Sequence, residues 1–546
     1  MAPALSDNQL LERIDQCFPF KDSQGEPSYY PYQREAIAEA IEAYLQGISY
    51  VILDGGTGTG KTAVAHTIAN YFGEGAWGIT LKNVLVKQYE ALNWRTLMGA
   101  VNFKCKRCAT HNCHQGTALA RARGEIDKST IGCTNGCPYA EASREFFEPT
   151  DLSGCMTNAY YMWYGYRRFL KLPPKGLFVA DEAHLLEATL ADMLKVTITR
   201  DDMRAVGFSE RLTSADEKDG WLSRYCAEVR QAHDEVEEQL AKLSRKLARG
   251  HPAFRDALRQ LEAYRKQLQA VDWYSQYKCE TRWLTHLDAD DGHVERLVLE
   301  PVYGGFLAER LFRLATRVLL MSATFLDKHH TSTELRMPEN KVRYIKVPSY
   351  FPPENQPLFW DPSLRPNYEN FERVLPALVG KLDRVLEHHA EERGIIHSVS
   401  HQLTKAIVAH SRYAARFTLV GEGQKQTDAI NRHLKTRASV LLGPAFVEGL
   451  DLAGDTGSFV IWPKVPFKPV RGDKKLEIRE QDHPGYSWLL TARDLVQGKG
   501  RVIRSKDEVV SAYCLDGNLA LLVGPTSPYR QFFPDLFLSS IFVCKL

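Results

Sequence analysis

Two hydrophobic patterns share this chain. Short continuous apolar runs, closed by glycine, proline or acidic residues, fall at 50–53, 77–82, 177–180 and 316–321. They recur at 394–398, 438–442, 459–462 and 509–514. Continuous runs of this length read as strands buried on both faces, and the stretches between them return an apolar residue every three or four positions, as amphipathic helices do. That alternation predicts an α/β chain with parallel sheets. A proline-rich stretch over 348–362 divides it into two α/β halves. A short lead-in helix is predicted over 8–17. Between 187 and 295 the pattern changes. Val236, Leu240, Leu243 and Leu247 keep helical spacing, as do Phe254, Leu258, Leu261 and Leu268, with Gly250-His-Pro252 breaking the run between them. The expected result is an antiparallel helical hairpin inserted in the first half.

Composition narrows this picture. The chain has 546 residues, too many for one domain, with 44% hydrophobic and 25% charged residues, as in a globular protein. Its formal charge of +2 excludes a global basic field, so nucleic acid would have to be held by local patches. One such patch runs from Lys82 to Lys128, with nine Lys/Arg against three Asp/Glu. No apolar run approaches a membrane span, and the first residues lack the pattern of a secretory signal, so a cytoplasmic protein is expected. Eleven cysteines without a secretory context argue for metal binding over disulfides, since several crowd between Cys105 and Cys137.

The chemistry gathers at the first strand. Val51-Ile-Leu-Asp-Gly-Gly-Thr-Gly-Thr-Gly-Lys-Thr62 is strand, glycine-rich loop and helix start in the order a P-loop requires. The loop of Gly56, Thr57, Gly58, Thr59 and Gly60 lets backbone N–H groups converge on a triphosphate at a helix N-terminus. Lys61 is expected on the β- and γ-phosphates and Thr62 on magnesium. Gln33, just upstream, is the candidate reader of adenine, because an amide offers both a donor and an acceptor. Leu177-Phe-Val-Ala-Asp-Glu-Ala-His184 ends a buried strand in two acids: Asp181 to hold magnesium and Glu182 to polarise the attacking water. Ser322-Ala-Thr324 ends another strand with small hydroxyls suited to a hinge between the nucleotide and a second domain.

With these motifs in this order the sequence resembles superfamily 2 helicases. Gly394-Ile-Ile-His-Ser-Val-Ser-His401, Phe446-Val-Glu-Gly-Leu-Asp-Leu-Ala-Gly-Asp455 and Gln497-Gly-Lys-Gly-Arg-Val-Ile-Arg504 look like the group's later motifs, and together the blocks are similar to the XPD/DinG family. The resemblance implies two RecA-like P-loop domains, with a small cysteine-rich insert and an α-helical arch insert in the first. The expected division is a lead-in over 1–28, motor domain 1 over 29–100, 151–186 and 296–345, the cysteine insert over 101–150, the arch over 187–295, and motor domain 2 over 346–546. It further implies Arg501 and Arg504 on the γ-phosphoryl group. Glu448, Gly449, Asp451 and Gln497 are implied to contact the nucleotide, and Asp451 would couple its state to DNA-facing loops. The implied activity is 5′ to 3′ translocation on single-stranded DNA with duplex unwinding, by a monomeric motor acting on forked or displaced-strand DNA. An ATPase that remodels nucleoprotein complexes without strong unwinding is the alternative. The compact length and the lack of a nuclease domain ahead of Tyr29 suggest a stripped-down form, with a mobile element, a CRISPR system or another nucleoprotein recruiter as candidate settings.

In that family four cysteines hold a [4Fe–4S] cluster. Cys105, after Asn102-Phe103, and Cys137, opening Cys-Pro-Tyr139, match its first and last ligands. Cys113 and Cys133 are the favoured middle pair, with Cys108 as substitute. Zinc, which thiolates also suit, and a metal-free remnant are the rival readings. Lys104, Lys106, Arg107, Arg121 and Arg123 around the site suit DNA phosphates. Cys155 reads as a packed strand residue.

Overall fold

The computed structural model describes residues 7–56, 58–80, 83–106, 112–113, 116–117, 136–148, 150–157, 173–246, 252–420, 424–444, 457–500 and 509–546. In chain order the strands are β1 (Tyr50–Gly55), β2 (Ala76–Thr80), β3 (Arg95–Leu97), β4 (Gly154–Thr157), β5 (Lys175–Asp181), β6 (Val196–Thr199), β7 (Trp283–Asp290), β8 (His293–Pro301), β9 (Ala315–Ser322) and β10 (Val342–Val347). The second half adds β11 (Leu358–Trp360), β12 (Gly394–His397), β13 (Phe417–Leu419), β14 (Val440–Gly443), β15 (Phe459–Trp462), β16 (Ser511–Cys514) and β17 (Ile541–Val543).

The first domain is a seven-stranded parallel sheet in the order β10-β1-β9-β5-β2-β4-β3. Side chains alternate across it. Val51 and Leu53 face a core shared with the helices Asp7–Cys17, Gln33–Leu45 and Lys61–Phe72, while Ile52 faces one shared with Leu186–Leu194 and Gly305–Phe312. Burial on both faces is why these strands carry unbroken apolar runs. One strand, β9, stands between the P-loop strand β1 and the acid-tipped β5, so the two chemical ends lie about 10 Å apart, two strand spacings. Cys155 is fully buried in β4.

The second domain is another seven-stranded parallel sheet, β13-β14-β12-β15-β16-β11-β17. The helices Phe371–His388 and His401–His410 cover one face, and Tyr486–Lys499 covers the other.

Between β5 and β9 lies the helical insert. Its helices Lys218–Lys246 and Pro252–Tyr277 run antiparallel: Asp219 meets Tyr274 and Lys278, Tyr225 meets Gln267, and Leu240 packs with Leu258 and Leu261. The hairpin stands on an antiparallel sheet, β6-β8-β7, that the hydrophobic pattern did not suggest. The reason is local. The strand β7 carries His286, Asp288 and Asp290 and is nowhere fully buried, so it shows no apolar run. No helix among the described residues is long and apolar enough to cross a membrane.

Candidate functional site

The P-loop opens where β1 ends and the helix Lys61–Phe72 begins. Gly60 caps that helix with φ +65°, and a Cβ there would stand 2.3 Å from the Gln33 Nε2, so only glycine fits. The loop closes on its own lysine: Lys61 Nζ donates to the carbonyls of Gly55 (3.1 Å) and Gly56 (3.4 Å). Thr59 Oγ1 donates to the Gly56 carbonyl at 2.9 Å, and Thr62 Oγ1 donates to Gln88 Oε1 at 3.2 Å. Gln33 is buried, and its amide braces the loop. Nε2 donates to the carbonyls of Thr59 (3.2 Å) and Gly60 (3.0 Å), and Oε1 accepts from the Tyr30 N–H at 3.0 Å. Its two amide hydrogens are thus engaged, and a base read through them must take them from the loop carbonyls.

Across β9, the strand β5 delivers Asp181 in a buried position. Burial, reinforced by the neighbouring Glu182 charge, pushes its carboxyl up to about 6, while Lys61 pulls it down. Glu182 adopts φ +52°, an unusual conformation for a residue with a Cβ, and its N–H donates to Asp181 Oδ1 at 3.0 Å. That turn aims Glu182 toward His184, whose Nδ1 lies 3.4 Å from Glu182 Oε2.

His184 then joins the two domains. Gln497, on the second domain's helix Tyr486–Lys499, brings its Nε2 to 2.6 Å from His184 Nε2 and donates to Thr324 Oγ1 at 2.8 Å. An amide nitrogen only donates, so His184 Nε2 accepts and the ring proton sits on Nδ1. That proton faces Ser322 Oγ at 2.6 Å, which also accepts from the Thr324 N–H at 3.1 Å. The acid strand, the Ser322-Ala-Thr324 turn and Gln497 form one hydrogen-bonded chain across the cleft.

In the cysteine-rich segment Cys105, Cys113 and Cys137 are buried together, with the Cys113 and Cys137 sulfurs 3.8 Å apart. Burial and the neighbouring thiols push Cys113 up to about 12. Cys137 caps the helix Pro138–Phe147, whose N-terminal dipole favours a thiolate there.

Residues 385–535 match the helicase C-terminal domain family. Similarity to solved structures extends over nearly the whole chain. An XPD helicase superposes with a TM-score of 0.65 at 14% identity, covering 95% of this chain and 100% of the other. An apo XPD gives 0.57 at 13% identity, and Xpd4 of S. tokodaii 0.55 at 15%, each over 94% of this chain and 100% of its own. The fold is that of the XPD helicases in those structures. No curated protein matches the chain by sequence.

On this XPD-like fold Thr57, Cys108, Cys133, Glu448, Gly449, Asp451, Arg501 and Arg504 lie outside the described residues. Lys61 and Thr62 stand at the end of β1, Asp181 and Glu182 at the end of β5, and Gln497 reaches them from the second domain through His184. The Asp181 carboxylate and Thr62 hydroxyl are hard oxygen donors of the kind magnesium takes. The three buried thiols fit a sulfur-bound metal by donor chemistry. Cys113 and Cys137 already meet, at 3.8 Å, as a thiol–thiol hydrogen bond.

Two features went unread in the sequence. Asp54, at the end of β1, accepts from the Tyr344 hydroxyl (2.5 Å) and the Leu326 N–H (3.3 Å), tying the P-loop strand to the segment after Thr324. Arg479 of the second domain is buried against Glu187, three residues beyond His184. A buried arginine on a helix rich in charge has no signal in the hydrophobic pattern.

Proposed function

We propose that this chain is an ATP-driven DNA helicase that moves 5′ to 3′ along a single strand and opens duplex ahead of it. The observation that carries this reading is the run of contacts from Glu182, 3.4 Å from His184 Nδ1, through the hydrogen bond between His184 and Gln497. It gives the hydrolytic acid of one domain a direct line to the helix that leads into Arg501 and Arg504 of the other. In this mechanism Lys61 holds the β- and γ-phosphates, and Thr62 and Asp181 ligate magnesium. Glu182 orients water, and Arg501 and Arg504 stabilise charge on the transferring phosphoryl. Gln33 reads the base, Gln497, Glu448, Gly449 and Asp451 contact the nucleotide, and Asp451 couples its state to the DNA-facing loops. Closing on ATP and opening after hydrolysis become steps along the strand.

The cysteine segment, with Lys104 and Lys106 beside it, is proposed as a metal-stiffened strand guide. Cys105, Cys113, Cys137 and either Cys133 or Cys108 are the ligands, and a bound metal supplies rigidity there. Family resemblance favours a [4Fe–4S] cluster, and zinc is the rival because thiolates suit it equally. Absorbance near 400 nm in anaerobically purified protein, set beside metal analysis, decides between them.

A forked duplex carrying either a 5′ or a 3′ tail tests the main reading. Opening only with the 5′ tail, dependent on ATP, is the expected result. Single-strand-stimulated hydrolysis with no fork opened would overturn unwinding and leave a translocase that remodels nucleoprotein complexes.

A further inference from the structure

The second domain touches the first at another place besides the cleft. One face of its short helix Lys474–Asp482 presents Lys475, Arg479 and Asp482, at positions i, i+4 and i+7. Each reaches the segment that leaves the helical insert. Lys475 Nζ lies 3.9 Å from Glu300, the Arg479 Nε donates to the Val302 carbonyl at 2.9 Å, and Tyr303 donates its hydroxyl proton to Asp482 Oδ2 at 2.9 Å. Val302 follows β8 directly, and β8 is the central strand of the sheet beneath the hairpin.

Arg479 fixes this contact. It is buried, donates to both Glu187 carboxylate oxygens at 2.8 Å, and lies 3.5 Å from Glu334. Its other guanidinium nitrogen donates to the Tyr486 hydroxyl at 2.7 Å. The insert's exit has no slack. A Cβ at Gly305 would fall 1.8 Å from the Glu334 carbonyl, and the Gly304 N–H donates to Glu187 Oε1 at 2.6 Å. Packed segments of this kind shift as units and do not absorb a displacement.

We propose that the helix Lys474–Asp482 is the lever through which the second motor domain acts on the helical insert, with Arg479 as its positioning residue. The inference rests on the reading that nucleotide drives the two domains relative to each other. Movement of the second domain would then reach the hairpin mechanically at Val302, separately from the chemistry at His184 and Gln497.

Hydrogen–deuterium exchange with and without a non-hydrolysable ATP analogue tests this in the full chain. In the wild type, nucleotide is expected to protect P-loop peptides and to change exchange in the insert's strands at 283–301. In Arg479→Ala the P-loop protection should remain and the response at 283–301 should be lost, with Arg479→Lys recovering part of it. Should Arg479→Ala not fold, the double variant Lys475→Ala/Tyr303→Phe removes the flanking contacts without touching the buried charges, and it should weaken the same response. A wild-type-like response at 283–301 in these variants overturns the lever. So does a wild type whose P-loop responds while 283–301 does not. If the wild-type P-loop itself shows no protection, the motor reading has failed and the lever falls with it.

Discussion

At the cleft the two motor domains meet through an imidazole, an amide and two hydroxyls; at the exit of the insert they meet through a guanidinium and two carboxylates. Neutral hydrogen bonds of the first kind contribute about 0.5–1.5 kcal/mol each and are readily exchanged for water when a cleft opens. Separating a buried guanidinium from its carboxylates strands charge in the interior, which is far more costly. In the proposed motor the cleft contact would be remade at each turnover, and the Arg479 contact would hold. A motor needs both, one joint that reports chemistry and one that does not slip.

The strongest way to break this comparison is to remove the chemistry alone. Lys61→Ala and Glu182→Gln should each lower ATP turnover by at least about 100-fold, with no matching change in the urea midpoint. An active Lys61→Ala protein would remove the P-loop from the mechanism. Glu187→Ala should do the reverse. It leaves Arg479 with Glu334 as its remaining carboxylate and should cost about 3–5 kcal/mol in urea unfolding. Pairing Arg479→Met with Glu187→Leu should not restore that loss, because it takes from the buried Glu334 its guanidinium, from the Val302 carbonyl its donor and from the Gly304 N–H its acceptor. If Glu187→Ala costs no more than a surface substitution, the contrast between the joints is void.

Gln497→Ala cuts the cleft joint and leaves the other intact. Its nucleic-acid-stimulated ATPase should fall by about 5–150-fold, the range of a typical coupling energy, while the unstimulated rate changes little. Equal loss of both rates would show that Gln497 serves catalysis and not communication. The smallest effect is one of pH. If Asp181 holds magnesium as proposed, it must be ionised to do so, and apparent affinity for magnesium–ATP should fall about twofold by pH 6 and about tenfold per unit below it. Stability should move the opposite way. With its folded value raised above the ordinary 3.8, Asp181 binds a proton more readily folded than unfolded, so its contribution to stability grows as pH falls from about 6 to 3.8. Asp181→Asn should remove both trends.

The strands were legible because they are buried on both faces and end in motifs. The apolar run at 50–53 became β1, and the run at 459–462 became β15 at those same bounds. Which strands are neighbours was not legible. Nothing in the pattern says that β9 inserts itself between β1 and β5, since that order arises from crossovers through the helices. The sheet under the hairpin escaped because β7 is half-exposed and charged. Lys61, Asp181 and Glu182 could be named from residue chemistry. The partnership of His184 with Gln497 could not, because it spans 313 residues and belongs to no local motif. Arg479 was hidden for a different reason: a buried charge and a solvated one are spelled alike.

The strand order also has a consequence for how the chain is made. The P-loop strand β1, second from the edge of its sheet, is complete by residue 55, yet both its neighbours, β9 and β10, come from beyond residue 314. The Tyr44 hydroxyl donates to the Val318 carbonyl across 274 residues, and the bond from Tyr344 to Asp54 crosses 290. On the ribosome, then, the phosphate-binding strand emerges early and waits unpaired while the helical hairpin, whose contacts are local, is already free to fold. At about 5–20 residues per second, β1 spends on the order of 15–60 s as an open edge before its partners arrive. Over that interval this chain is most exposed to aggregation, and a holding chaperone would be of most use to it.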